Sequence, residues 1–568
     1  MSNAMQRDLA KLVGAVESAE AGAQRRWAQH FHLMPPVGWL NDPNGLHERD
    51  GVFHAYFQYA PFDVNGGVKM WGHSTSRDLL SWTYEGCVLM PDEPFDCHGV
   101  YSGSALVLDD RVEMFYTGNV KLPGADGAYD YVNTGREGNT VAVSTPDGSA
   151  FAEKRLLMTN ADYPEDLTCH VRDPKVWRAD AAQGRYLMVQ GARRRVAGSC
   201  ADAAAPEAVA SEDATASEAA ACEQGSARRD LLERCHGKSS AYDQGEILVF
   251  ASDDLEHWTL VNRVSTPERF GFMWECPDYF ELPIGGVAAG SGVGTGAAPL
   301  TDGALARPLP AAEQAREARI QVLSVSPQGL LGDEWERRNV YQSGYFTLEG
   351  DLCGECELGD FRLWDAGFDF YAPQTFEAQD GRRIMIGWMG MPDEPSYGND
   401  PTVAEGWQHC FTVPRELWVN EAGRVCQAPV REVAQSRGAG TQGSGTLTVD
   451  ELAEACDITV DGVAQSLHMV FGEELEIAWN PAADGSAGRF EMRFTDPSRT
   501  AAGCGRSVRW EHVERVQSVR VLVDTSSVEV FVNDGELVMS TRWYPQRRSC
   551  SCSAPGADIR CWDLVCGE

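Results

Sequence analysis

Three short segments of the chain set a carboxylate beside a proline, with aromatic or basic neighbours: Trp39-Leu40-Asn41-Asp42-Pro43-Asn44-Gly45, His170-Val171-Arg172-Asp173-Pro174 and Trp274-Glu275-Cys276-Pro277. A carboxylate exposed in a cleft can attack a carbon, or give and take a proton. Proline biases the residue before it toward extended backbone and cannot donate to a sheet ladder. Each acid is therefore expected at a strand end or turn, from which it projects into a cleft. Asp-Pro by itself is an ordinary turn dipeptide, present also as Asp400-Pro401 and Asp496-Pro497. The combination, in order and in context, is what singles out Asp42, Asp173 and Glu275.

The elements that must hold these residues read as strands. From about Phe31 to Phe411 short strands alternate with turn residues, as in Val52 to Gln58, Arg111 to Tyr116, Arg185 to Gln190, Glu246 to Ala251, Ile320 to Val325 and Arg383 to Trp388. Strands without intervening helices predict an all-β architecture. An internal repeat narrows it: Ser76-Arg-Asp-Leu-Leu-Ser-Trp82 recurs as Ser252-Asp-Asp-Leu-Glu-His-Trp258, with a weaker copy at Ser144-Thr-Pro-Asp-Gly-Ser-Ala-Phe151. Repeats that each follow a strand are expected of a propeller built from similar blades.

Two stretches, about 196–240 and 285–318, are rich in small and polar residues and are expected to be inserts unable to join the core. The propeller is expected over residues 30–425. A second set of strands over 430–568, with a hairpin turn at Asn533-Asp-Gly535, predicts a β-sandwich. Residues 1–4, ahead of a second methionine at Met5, read as a vector-derived leader, and 5–29 as a helical appendage with Leu9, Leu12, Val13 and Val16 at helical spacing.

With 568 residues, 43% hydrophobic and 9% aromatic, the composition is globular and exceeds one core. No run approaches the roughly 18 apolar residues of a membrane span. A formal charge of −36 opposes nucleic acid and anionic membrane as partners and leaves neutral small molecules unaffected. The 17 cysteines, scattered and without an export signal, fit free thiols in a reducing cytoplasm. Neither Cys353-Gly-Glu-Cys356 nor Cys550, Cys552, Cys561 and Cys566 has the spacing of a zinc site, so neither metal nor cofactor is expected. The chain is compatible with a homodimer.

The segments His32-Leu-Met-Pro-Pro-Val-Gly-Trp-Leu-Asn-Asp-Pro-Asn-Gly45, Tyr101-Ser-Gly-Ser104, Arg172-Asp-Pro174 and Trp274-Glu-Cys-Pro277 resemble the signature motifs of glycoside hydrolase family 32. Phe115-Tyr-Thr-Gly-Asn-Val-Lys121, Ser326-Pro-Gln-Gly-Leu330 and Gly367-Phe-Asp-Phe-Tyr-Ala-Pro-Gln-Thr-Phe376 resemble its bacterial sucrose-6-phosphate hydrolase branch. The resemblance implies a five-bladed propeller with a C-terminal β-sandwich, and hydrolysis that retains configuration at the fructose anomeric carbon. It makes Asp42 the nucleophile, Glu275 the general acid/base and Asp173 the transition-state stabiliser. It also implies fructoside contacts from Trp39, Leu40, Asn41, Gln58, Trp71, Tyr101, Ser102, Arg172 and Trp388. The chemistry suits those roles, because retaining hydrolysis needs one ionised and one protonated carboxyl about 5 Å apart. Arg172 is expected to keep Asp173 ionised, while Asp42 and Asp173 would hold a proton on Glu275.

Two other readings stay open: a fructosyltransferase using the same site, and a non-catalytic fructan-binding propeller. Sucrose, sucrose 6-phosphate and short fructans share the fructosyl group that the motifs recognise. Arg193-Arg194-Arg195 is the compact basic cluster of the propeller that invites a phosphate reading, although a solvated loop edge is the favoured reading of it.

Overall fold

The structure, a computed structural model, describes the chain except residues 1–2, 125–135, 181–184, 197–229, 231, 234–235, 237, 286–317, 331–337, 393–397, 483–486, 497–501, 503–505 and 566–568. Among the described residues, five antiparallel sheets follow one another along the chain. Their first strands are Gly38–Arg49, Val100–Val107, Leu167–Asp180, Met273–Pro283 and Tyr371–Glu377. These five pack against one another around the axis, the fifth against the first, so each sheet is one blade of a β-propeller. A short strand, Trp407–Gln408, returns from the end of the ring to pair in parallel with Gly38 and Trp39, which fastens the last blade to the first.

The strands expected from alternation are the second and third strands of the blades, observed as Val52–Ala60, Val112–Lys121, Arg185–Arg194, Gln244–Ser252, Arg319–Gln328 and Arg383–Met389. The sequence repeat is the turn from third to fourth strand. Asp78 Oδ1 accepts from the backbone N–H groups of Leu80 and Ser81, and Asp254 Oδ1 from those of Glu256 and His257. Leu79 and Leu255 are left-handed there (φ 62° and 68°) and bury their side chains in the ring. In the weaker copy Asp147 caps Ser149 in the same way, and Gly148 takes the left-handed position that costs a leucine strain.

Beyond the ring, strands from Arg437–Val449 to Cys550–Leu564 form one continuous C-terminal sheet system, whose inward residues, among them Ile458, Met469, Ile477, Phe490, Val521 and Val530, make a separate core. A buried polar clamp joins it to the propeller. His32 sits between Asp524 and Glu529 at 2.8 Å from each, and Glu529 also accepts from Arg415 at 2.6 Å. His32 heads the first motif in sequence, yet its side chain belongs to this clamp and not to the cleft.

The N-terminal helix spans Ala4–Glu20 and does not continue to Gln29, because the chain turns at Ala21 and a left-handed Gly22. Asn3 caps it by accepting from Gln6 N–H, so the segment read as a leader takes part in the fold. Nor is the helix a free appendage. Val13 is buried against the ring, and Glu17 accepts hydrogen bonds from the hydroxyls of Tyr59 (3.0 Å) and Tyr84 (2.6 Å).

Most of the two expected inserts lies outside the described residues. The described end of the first does join the core, contrary to expectation. Leu232 is buried with the ring's apolar cluster, and His236 Nε2 lies 2.6 Å from the Tyr341 hydroxyl. A short 3-10 helix, Lys238–Ala241, then leads back into the sheet.

Candidate active site

The first strand of every blade is interrupted at the same level. Pairing skips two residues in each: Asn41 and Asp42, Tyr101 and Ser102, Asp173 and Pro174, Cys276 and Pro277, Ala372 and Pro373. A proline, which cannot donate to the ladder, stands at four of these interruptions, and Gly103 at the other. There a Cβ would fall 1.9 Å from the Phe115 carbonyl oxygen, so only glycine fits. Bulges of this kind turn side chains out of the sheet. The carboxylates thus project from inside their strands, not from strand ends. Asp173 also departs from the extended backbone expected before proline, with a left-handed φ of 64°.

Asp42 is held by three neighbours. Ser102 Oγ donates to Oδ2 at 2.5 Å, Gln58 Nε2 to Oδ2 at 3.3 Å and Asn41 Nδ2 to Oδ1 at 3.2 Å. Trp39 donates its indole N–H to Asn41 Oδ1 at 2.7 Å and so fixes the amide's orientation. Burial pushes the Asp42 carboxyl up, the Ser102 hydrogen bond opposes it, Glu275 adds to it, and the net displacement is upward. Lys69, stacked over Trp39 at 4.6 Å, is pulled down to about 7 by burial against the attraction of Asp42.

Asp173 accepts from the backbone N–H of Cys276 at 2.9 Å. The Cys276 thiol lies 3.7 Å from both Asp42 Oδ2 and Asp173 Oδ2, which places two carboxylates around one sulfur. Burial raises Asp173 to about 7, opposed by Arg172 and reinforced by Glu275. Arg172 is directed elsewhere than expected. Its Nη2 and Nε donate to Glu275 Oε1 at 2.6 and 3.1 Å, while its approach to Asp173 is 3.9 Å. Glu275 Oε2 accepts from the Tyr371 hydroxyl at 2.7 Å.

These groups open into a cavity of about 420 Å³, a size that suits a small ligand. Asp42, Asp173, Glu275, Trp39, Asn41, Gln58, Tyr101, Ser102, Arg172 and Trp388 all line it. Leu40 and Trp71 do not. Leu40 is fully buried behind the bulge, and Trp71 is also buried, its indole N–H donating to the Tyr101 carbonyl at 3.1 Å. Trp71 therefore supports the wall and does not form it.

Reading the sequence alone missed Lys69, Lys121, Arg136, His236 and Tyr371, which also line the cavity. Tyr371 precedes Ala372-Pro373, so the recurrence of proline at four of the five bulges was the signal that could have found it. The Arg193 to Arg195 cluster is no anion cradle, because neighbours on a strand point to opposite faces. Arg193 is buried and paired with Asp243 at 2.8 Å, Arg194 with Glu246 at 3.0 Å, and Arg195 donates to the Glu165 carbonyl at 3.2 Å.

Comparison with known proteins adds independent findings. The model of the glycosyl hydrolases family 32 N-terminal domain matches residues 32–201 and 234–429, and that of the family 32 C-terminal region matches 456–558. A sucrose-6-phosphate hydrolase of Bacillus subtilis (strain 168) is 33% identical over 534 residues, 91% of this chain and 89% of its own. A raffinose invertase of Escherichia coli is 32% identical over 557 residues, 96% of this chain and 95% of its own. In fold, the chain is similar to the sucrose-6-phosphate hydrolase from Lactobacillus gasseri, with a TM-score of 0.72 at 22% identity, covering 98% of this chain and 96% of that one.

Proposed function

This chain belongs to glycosyl hydrolase family 32, and from that premise we propose that it hydrolyses the β-D-fructofuranosyl bond of sucrose or sucrose 6-phosphate with retained configuration. The observation that carries the reading is the convergence of Asp42, Asp173 and Glu275, each set at a bulge of a different blade, on one cavity.

In the first step Asp42 attacks the anomeric carbon of fructose while Glu275 gives a proton to the glycosidic oxygen. The bond to the leaving sugar breaks, and a fructosyl ester forms on Asp42. In the second step Glu275 takes a proton from water, the hydroxyl attacks the same carbon from the vacated side, and Asp42 leaves as a carboxylate. Asp173 accepts hydrogen bonds from fructose hydroxyls, which strengthen as positive charge grows on the ring. Ser102, Gln58 and Asn41 hold Asp42 in line for attack. Arg172 must divide its donors between Glu275 and an incoming hydroxyl. The reading also favours a reducing cytoplasm, since oxidation of Cys276 would add charge between Asp42 and Asp173.

The test is proton NMR of the purified protein with sucrose and with sucrose 6-phosphate. Release of β-fructofuranose as the first anomer supports double displacement; no fructose from either sugar refutes the reading.

A further inference from the structure

Among the described residues Arg136, on the cavity wall, lacks the paired carboxylate that Arg172, Arg193 and Arg415 have. Arg193 pairs with Asp243, Arg415 with Asp365 and Glu529, and Arg172 with Glu275. Arg136 opens the Arg136–Thr145 strand of the second blade, opposite Lys121, and is only 9% exposed. Its Nε donates to Asn119 Oδ1 at 2.7 Å, and its guanidinium lies over the Tyr101 ring at 4.9 Å. Among the described residues no carboxylate ion-pairs with it, and its Nη2 has no acceptor.

His170 adds a second unanswered donor. Arg172 Nη1 lies 2.7 Å from its Nδ1, and a guanidinium can only donate, so Nδ1 accepts and the proton resides on Nε2. That Nε2 is buried without an acceptor among the described residues. The cavity lining as a whole carries Lys69, Lys121, Arg136 and Arg172 against Asp42, Asp173 and Glu275. It is cationic in a chain of net charge −36.

We propose that Arg136 and His170 determine specificity by receiving the phosphate of a phosphorylated leaving sugar. A phosphate monoester is acceptor-rich and dianionic, so it can satisfy both donors and neutralise the guanidinium together. A sugar hydroxyl could answer a donor but would leave the charge unpaired. The position follows from Arg172, which bridges His170 to Glu275. The proton donor faces the glycosidic oxygen, so the wall beyond it meets the leaving sugar. This inference rests on the hydrolase reading above and narrows its substrate to sucrose 6-phosphate.

The test combines binding and turnover. Calorimetry with glucose 6-phosphate, glucose and inorganic phosphate needs no catalysis, so it stays informative if the hydrolase reading fails. Glucose 6-phosphate is expected to bind wild-type protein at least tenfold more tightly than either of the others. Binding no tighter than glucose overturns the proposal, and so does inorganic phosphate binding equally well, which would mark a site for the free anion. In turnover, Arg136→Gln is expected to lower the ratio of kcat/KM for sucrose 6-phosphate to that for sucrose by tenfold or more. An unchanged ratio overturns the proposal. Should that variant not fold, His170→Gln gives the same ratio, and the wild-type binding series decides alone.

Discussion

Arg172 grips Glu275 through two nitrogens, at 2.6 and 3.1 Å, and approaches Asp173 only to 3.9 Å. The positive charge at the centre of the site is therefore shared unequally between the two carboxylates. It orients the proton donor directly, and Asp173 stabilises charge from a more buried, less compensated position.

Tyr371 completes the hold on Glu275. Replacing it with Phe removes the hydroxyl that donates to Oε2 at 2.7 Å and also lies 3.3 Å from the Ser326 carbonyl oxygen. A hydrogen bond to a charged group contributes about 1.5–3 kcal/mol, so kcat on the fructoside substrate should fall by roughly ten- to a hundredfold while the far-ultraviolet spectrum stays the same. Unchanged kcat would mean that Arg172 alone positions Glu275.

The pH dependence follows from Asp173. Burial raises its carboxyl to about 7, so the ionised form that stabilises positive charge is lost as pH falls through that value. The acidic limb of kcat/KM should accordingly lie well above the ordinary carboxylate range of about 4. A profile flat down to about pH 5 would contradict the upward displacement of the Asp173 carboxyl.

The clamp at His32 predicts a stability effect remote from catalysis. Burial alone would lower the His32 pKa, but the hydrogen bonds with Asp524 and Glu529 outweigh it and the net displacement is upward. Its contribution is therefore complete below its unfolded value of about 6.5 and is lost as pH rises through the higher folded value. Asp524 and Glu529 are held below their ordinary values, so their share is present above about 4 and is lost as pH falls. His32→Ala leaves two buried carboxylates less compensated and should cost about 3–5 kcal/mol in urea unfolding. It should also abolish the alkaline part of the stability profile. Retention of that limb in the variant would assign it to other groups.

Leu232 provides a check on the segment that composition assigned to an insert. It is 4% exposed and packed in the ring's apolar cluster, so Leu232→Ala should destabilise the protein by about 2–5 kcal/mol. A loss below about 0.5 kcal/mol would show that this turn of chain does not contribute to the core.

The fold was legible where ordinary strand chemistry applies. Gln244–Ser252 runs apolar and was read nearly to its ends as Glu246 to Ala251, Val112–Lys121 was read from its start as far as Tyr116, and the Asp78 and Asp254 turns announced the blade repeat. The first strands were not legible as strands, because Asn41-Asp42-Pro43 and Arg172-Asp173-Pro174 are polar and proline-broken at their bulges. Function interrupts the pattern on which strand reading depends. The acids themselves were legible through their motifs. Lys69 and Arg136 were not, since each becomes part of the cavity only when separate strands meet. Trp71 and Leu40 were misplaced for the converse reason: a motif gives adjacency in sequence, while the bulge decides which neighbour faces the cavity.

The central claim is that Asp42 forms the bond to the fructosyl group, and the most direct measurement is the rate of sucrose and sucrose 6-phosphate hydrolysis by Asp42→Ala, with folding checked by thermal unfolding. Loss of general acid/base catalysis typically costs about 10²- to 10⁴-fold, and loss of the nucleophile should cost at least as much. The account predicts a folded protein with turnover reduced by that factor or more on both sugars. A folded variant that keeps near-normal turnover on either sugar would contradict it.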